Sequence, residues 1–335
     1  MTIKPFAHQL VSLKHANKTP VVLDASDAGT GKTYVTIMAF TKRRARGGGC
    51  MLVMGPRSTL RSVWLADFRK FAPHLKVVVA DAANREEAFN TEADVYVTNH
   101  DASKWLAKQK KPFFARFSEV AMDESTAYKH YTSDRSKAML KIIKYFKFRR
   151  AMTATPNTNT VVDIFHQALL LDDGKRLGKL YFPFRQQVAT PVQSTRKDGS
   201  AIANAIKWVD KEGAEEAVFN LLADIVIRHR LDDCADIPEN HQYPLMYSMS
   251  KAQQKAYEEL KATQLLKFAK TGVTAFNASA VATKLMQVAS GAVYTAPDDY
   301  QVIDTGRYEL VLDLAQQRKQ PLVLFQWHHQ RDLLV

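Results

Sequence analysis

The stretch Ser26–Ile37, "SDAGTGKTYVTI", decides how the rest of the chain reads. It follows "VVLDA" (21–25), a short β-branched run with the character of a buried strand. It then opens into an apolar pattern at helical spacing from about Lys32 to Arg46. Gly29 and Gly31 let the backbone turn sharply with its amides pointing inward, which makes an anion cradle. Lys32 would place a point charge on the outer phosphates of a nucleoside triphosphate, and the Thr33 hydroxyl would ligate the magnesium that accompanies them. The positive end of the following helix would face the same point. The predicted cradle is Ser26, Asp27, Ala28, Gly29, Thr30, Gly31, Lys32 and Thr33, with Lys32 facing solvent when no phosphate is bound. An ordinary glycine turn with a chance lysine would not also carry a strand before it, a helix after it and an adjacent hydroxyl. Ser26 stands where the general phosphate-loop pattern has its first glycine.

Working outward, short apolar runs recur between helical patterns: "CMLVMG" (50–55), "KVVVA" (76–80), "DVYVT" (94–98), "EVAMD" (119–123) and "RAMTAT" (150–155). Strands alternating with helices predict an α/β fold, a parallel sheet covered on both faces with ligands at the carboxyl ends of its strands. "RGGGC" (46–50) ends the first long helix with the expected glycines. After about residue 157 helices and loops are expected. "NTVVDIFHQALLLDDG" and "AEEAVFNLLADIVIRHR" read as helices, and the segment from "RQQVATPV" to "KWVDKEG" as a polar, turn-rich excursion. "DIPENHQYP" reads as a connector, "KAQQKAYEELKATQLLKFAK" and "AVATKLMQVASG" as helices, and "QPLVLFQWHH" as a further buried strand.

The chain has 335 residues, 46% of them hydrophobic, enough for one large or two medium domains with real cores. Lys and Arg number 47 against 34 Asp and Glu, a formal charge of +13 that suits a polyanionic partner. Two cysteines, Cys50 and Cys234, offer neither a disulfide framework nor metal-ligand spacing. The N-terminus lacks the apolar core of a signal peptide, and no window approaches about 18 uninterrupted apolar residues. A soluble cytoplasmic or nucleoid-associated protein with no membrane partner is the expectation.

Two further constellations suit a nucleotide site. In "EVAMDESTAYKH", Asp123 ends a strand where it can hold magnesium through water, and Glu124 follows where it can orient or deprotonate an attacking water. In "RRAMTATPN", the hydroxyls of Thr153 and Thr155 flank a turn fixed by Pro156. Threonines chosen for β propensity at a strand exit are the plainer reading of that second stretch. His328 and His329 have no third ligand spaced for a metal. The aromatics of "YFPF" and Trp208 could stack on bases, but packing is the commoner use.

In this order the segments resemble the superfamily-two helicase-like ATPases, and within them the Swi/Snf-type DNA translocases, over nearly the whole chain. "DAGTGKT" resembles the family's first motif, in the helicase-like form with a small residue at Ser26. "IKPFAHQLVSLKH" resembles the segment in which a glutamine, here Gln9, reads the adenine. "LVMGPRSTLRSVWLADFRKF", "VYVTNHD", "DESTAYKHYTSDRSKAMLKIIK" and "MTATPNTNTVVDIFHQALLLD" resemble the motifs that follow. "IVIRHRLDDCADIPENHQYPLMYSMSKAQQKAYEEL" resembles the linker, and "ATKLMQVASGAV" with "LVLFQWHH" the opening of a second lobe.

The resemblance implies a RecA-like lobe over 1–157, a helical extension over 158–236, and a linker with the start of a second RecA-like lobe over 237–335. It implies ATP and Mg2+ as cofactors, with Lys32, Asp123 and Glu124 catalytic and Thr33 and Asp123 holding the metal. Thr126, Thr153 and Thr155 would couple hydrolysis to movement. Arg57, Ser58, Asn99, His100 and Lys129, just past strand ends, would meet nucleic acid, foremost duplex DNA. Two departures stand out: Thr126 replaces a histidine that in the family helps couple hydrolysis to the threonine motif, and Ala154 replaces a glycine. The family's last motifs, with the arginines that reach the γ-phosphate, have no counterpart, so a fragment or a shortened protein with little DNA-stimulated hydrolysis is expected. Arg228 or Arg230 could stand in for those arginines. An RNA helicase or restriction-system motor shares the early motifs, and a nucleotide-dependent binding module without efficient turnover is the reading outside the enzymes.

Overall fold

The computed structural model describes residues 4–195, 201–234, 241–271, 275–297 and 299–335, in two compact units, Met1–Pro238 and Glu239–Val335. The first unit is built on seven parallel strands: β1 (Val21–Asp24), β2 (Cys50–Gly55), β3 (Val77–Ala80), β4 (Val95–Asn99), β5 (Phe117–Met122), β6 (Phe148–Met152) and, beyond a β7–β8 hairpin (Ala189–Thr195 and Ala201–Asp210), β9 (Val226–Ile227). Their order across the sheet is β3-β4-β2-β5-β6-β1-β9. The six apolar runs picked out in the sequence supply the first six strands, within one to three residues at their ends.

Alternation along each strand divides the core between the two faces. Leu52, Met54, Val120 and Met122 point to one side and pack with Phe146, Ile164 and Phe165. Met51, Val53 and Ala121 point to the other and pack with Ile37, Phe40, Trp64 and Phe68. Both layers are fully dry, and a sheet buried on both faces is what near-continuous apolar strands require. Registers place Asp24 opposite Met152, and Met122 opposite Ala151, so the exits of β1, β5 and β6 lie at one level.

Three stretches differ from the sequence expectation. The helix begun at Ala214 ends at Leu221, and the β-branched "IVI" that follows leaves helix to pair outside β1. Leu23, Ala25 and Asp27 have backbone N–H groups on that edge, and they donate to the carbonyls of Ile225, Ile227 and His229 at 2.8, 2.8 and 2.9 Å. An unpaired edge deep in a core would leave those donors without partners, which outweighs local helix propensity. The polar excursion is an antiparallel hairpin, with Thr190 opposite Val209 and Val192 opposite Lys207. Part of the connector, residues 236–240, lies outside the described residues.

The second unit contains helices Lys251–Thr271 and Ala275–Ala289, a hairpin of β10 (Ala292–Ala296) and β11 (Asp299–Val302), and helices Gly306–Gln316 and His328–Asp332. Its expected buried strand is absent: residues 321–325 pair with no strand among the described residues, and Leu322 and Leu324 are each 86% exposed. A strand needs a neighbour to satisfy its backbone, and among the described residues none lies beside this one. His328 and His329 open a helix rather than leave a strand. His329 is buried with its Nε2 at 3.0 Å from Ser290 Oγ, a structural role. Among the described residues no helix is long and apolar enough to cross a membrane.

Candidate nucleotide site

β1 delivers the chain into the loop Ala25–Gly31, and the helix Lys32–Arg44 leaves it with Gly31 as N-cap at φ 84°. Its positive φ calls for glycine, and a Cβ there would also push aside the end of the Gln9 side chain, whose Nε2 would lie 2.2 Å away. The loop is braced from several sides. Lys32 Nζ donates to the Ser26 and Asp27 carbonyls at 2.7 and 2.9 Å, so the ammonium lies folded over the loop rather than free in solvent. Thr30 Oγ1 donates to the Asp27 carbonyl at 2.8 Å, and Gln9 Nε2 reaches the Thr30 carbonyl at 3.2 Å. Gln9 Oε1 accepts from the Phe6 amide at 3.0 Å, which makes the side chain expected to read adenine a brace of the loop here.

The serine at the loop's first position has its own reason. Ser26 Oγ accepts from the His229 amide at 3.1 Å, and Asp27 Oδ2 accepts from the Leu231 amide at 2.9 Å, which fastens the segment after β9 to the loop. Glycine could not make the first of these bonds. Exposed Arg228 and Arg230 border a groove of about 760 Å³ on this side, with His8, Asp27, His229, Asp233 and Cys234.

Across the loop, Asp123 leaves β5 and donates its amide to the Met54 carbonyl at 2.8 Å. Its Oδ2 accepts from Trp64 Nε1 at 2.9 Å, which fixes the carboxylate plane. Trp64 is fully buried in a π-helical turn, Leu60–Leu65, of the kind that often marks functional positions. Glu124 takes a left-handed conformation, φ 46° and ψ 56°, rare for a non-glycine residue. Burial raises both carboxyls above their ordinary range. For Glu124 the charge on Asp123 adds to this, while Lys32 opposes it in both.

The magnesium expected here suits these groups. Mg2+ takes hard oxygen ligands, mostly waters and phosphates with one or two protein groups. The half-buried Thr33 hydroxyl has no hydrogen-bond partner among the described residues, and Asp123 offers a carboxylate already held by Trp64. Among the described residues no cluster of three or more His, Cys, Asp or Glu could hold a metal by itself.

The third wall is the exit of β6. Thr153 is fully buried, its amide donates to the Asp24 carbonyl at 3.1 Å, and its Oγ1 accepts from the Thr155 amide at 3.2 Å. Thr155 is exposed, and the side chain of Thr126 makes no hydrogen bond among the described residues. Four residues escaped the sequence reading. Arg150 and Asp24, 4% and 2% exposed, form a 2.9 Å ion pair under the loop. Trp64 and Gln167 complete the set. Charged residues within otherwise apolar strands were the available signal for the ion pair.

The residues expected to meet nucleic acid divide. Arg57 and Ser58 are exposed, and neither side chain has a partner among the described residues. Asn99 is half-buried with its Oδ1 accepting from Arg85 at 3.2 Å. Lys129 is turned inward, bonded to Thr158 and at 3.3 Å from Asp163 Oδ2. His100 requires correction: it is 7% exposed, with Nδ1 at 3.1 Å from the Tyr128 hydroxyl, and burial pushes its pKa down to about 4. A neutral, inward imidazole offers no charge to a phosphate.

His166 is likewise buried and pushed down to about 4 by burial. Both imidazoles titrate near 6.5 in the unfolded chain, so as pH falls from about 6.5 toward 4 the unfolded state takes up protons first and stability is lost. Each contributes on the order of 3 kcal/mol across that window. Thermal melts at pH 7.5 and 5.0 should show a steep acid loss that the double variant His100→Asn, His166→Asn flattens. An unchanged slope would contradict the burial argument.

The chain matches the SNF2-related domain family over residues 10–292. It is 24% identical over 350 residues to protein p41 of Acyrthosiphon pisum secondary endosymbiont phage 1, covering 99% of this chain and 73% of that protein. It is 32% identical over 165 residues to the ATP-dependent helicase FUN30 of Saccharomyces cerevisiae, covering 46% of this chain and 14% of that one. Among solved structures it resembles the Sulfolobus solfataricus SWI2/SNF2 ATPase core in complex with dsDNA, with a TM-score of 0.55 at 21% identity over 86% of this chain and 58% of that one. That likeness places the fold, a RecA-like α/β lobe. The chain therefore belongs to the SNF2-related domain family, the Swi/Snf-type branch of the superfamily-two helicase-like ATPases.

Proposed function

We propose that the chain binds ATP with magnesium and hydrolyses it as the motor of a duplex-DNA translocase. The observation that supports this most is the placement of Lys32 and Thr33 beyond the carboxyl end of β1 and of Asp123 and Glu124 beyond that of β5, with only β6 between the two strands, where an α/β sheet binds its ligand. Lys32 and the loop amides would hold the β- and γ-phosphates, and Glu124 would orient the attacking water and take its proton. Thr33 and Asp123 would hold magnesium, which when bound would supply charge neutralisation on the phosphate oxygens. Phosphate release with duplex DNA, single-stranded RNA or neither tests the reading. Whatever stimulation occurs, small as the sequence leads one to expect, should come from duplex DNA rather than from single-stranded RNA. Stimulation by RNA alone would favour an RNA helicase, and nucleotide binding without release in any condition would favour a binding module.

The DNA part rests on the +13 charge and on exposed Arg57 and Ser58 past β2, which suit backbone contacts that carry no base reading. Arg57→Ala is expected to weaken duplex binding evenly across sequences and to lower the slope of log affinity against log salt by about 1. Fluorescence anisotropy over a salt series would check this, and sequence-selective loss would contradict it.

A further inference from the structure

Gln167 lies on the helix Ile164–Asp172 and is 1% exposed, an amide placed among apolar neighbours. Its Oε1 accepts from Ser125 Oγ at 2.6 Å. Its Nε2 donates to the Pro156 carbonyl at 2.8 Å and to the Asp163 carbonyl at 3.1 Å. Ser125 follows Glu124 directly, and Pro156 follows Thr155 directly. One buried side chain thus joins the residue after the acidic pair to the residue after the second threonine.

An outer bridge runs alongside. Asp163 Oδ2 accepts from Thr158 Oγ1 at 2.7 Å, from the Asn159 amide at 3.1 Å and from Lys129 Nζ at 3.3 Å. Both bridges hang on residues 163–167, at the start of one helix. Thr126, the position expected to couple the two loops, makes no side-chain hydrogen bond among the described residues.

We infer that Gln167 is a positioning residue that carries changes at Glu124 to the loop 153–160, in place of Thr126. A buried amide with both N–H groups filled holds its partners in fixed relation, because leaving any of these groups unpaired costs about 1–3 kcal/mol. A shift of the turn at Glu124 must therefore move Ser125, Gln167 and Pro156 together or break a buried bond. The outer Lys129–Asp163 bridge, each side chain 15% exposed, is the better solvated and the weaker of the two.

The inference rests on the ATPase reading, and the test separates them. Nucleotide affinity is measured with a non-hydrolysable ATP analogue and Mg2+, and amide hydrogen exchange at 153–160 with and without that analogue. In the parent, the analogue should slow exchange there by roughly fivefold or more, the usual size of coupling between sites. Gln167→Met should keep analogue affinity yet lose most of that response, and Ser125→Ala, which removes only one hydroxyl, should do the same with less cost to folding. A purely structural Gln167 would lower the melting temperature and leave the nucleotide-dependent response intact, which overturns the inference alone. So would a parent that binds the analogue with no change at 153–160. A parent that fails to bind the analogue overturns the ATPase reading, and this inference with it.

Discussion

Lys32→Ala is expected to weaken MgATP binding by roughly ten- to a hundredfold, since a hydrogen bond to a charged group is worth about 1.5–3 kcal/mol and about 1.4 kcal/mol is tenfold in Kd. The lysine is the one cation of the loop, and it opens the helix whose N-terminus faces the same point. Its ammonium already lies against the Ser26 and Asp27 carbonyls, so phosphate has only to draw it a short way outward. Alanine removes these two bonds from a loop still braced by Thr30, Gln9 and Ser26. Titration of a fluorescent ATP analogue, with a melt to confirm folding, gives the result directly. Equal affinity in variant and parent would remove the loop from the nucleotide site.

Glu124→Gln should do the reverse: hold MgATP with unchanged affinity and lose about 10²–10⁴ in turnover, the span of a general base. The carboxyl sits where a base is needed. Burial and the neighbouring Asp123 hold its pKa above the ordinary range, so its ionised form is a stronger base than a free glutamate. Glutamine keeps the size of the side chain and the left-handed backbone at φ 46° but cannot accept a proton. Decay of bound radiolabelled ATP in a single turnover measures the step even where steady-state rates are low. The same pKa direction puts the acid limb of the parent's rate profile above the usual glutamate value near 4.5, with activity lost as pH falls through it. Turnover within tenfold of the parent would move the base elsewhere.

The sheet that carries these two residues was legible before any coordinates, and so were their positions on its carboxyl side. Six strands announced themselves as short apolar runs; Asp123 and Thr153 stand just past two of them, and Lys32 opens the helix that follows the loop after β1. The seventh strand was not legible. "IVIRHR" continues a good helical pattern, and only the open edge of β1, far away in sequence, turns it into strand. The expected strand near residue 323 failed for the converse reason, an apolar run with no neighbour to pair it. His100 and Lys129 illustrate the same limit at the level of side chains. Both follow the pattern of exposed residues past strand ends, and both are turned inward by partners, Tyr128 and Asp163, that lie 28 and 34 residues along the chain.

By itself, the order of residues determined the phosphate loop, the acidic pair, the threonine turn and the parallel sheet, because each is a local matter of backbone freedom, charge and side-chain period. The tertiary structure decided which polar groups are spent on one another. Arg150 finds Asp24 across 126 residues, Trp64 finds Asp123 across 59, and Gln167 finds Ser125 across 42. Such pairings follow from the cost of leaving a buried donor or acceptor unpaired, and that cost exists only once the chain has closed around them.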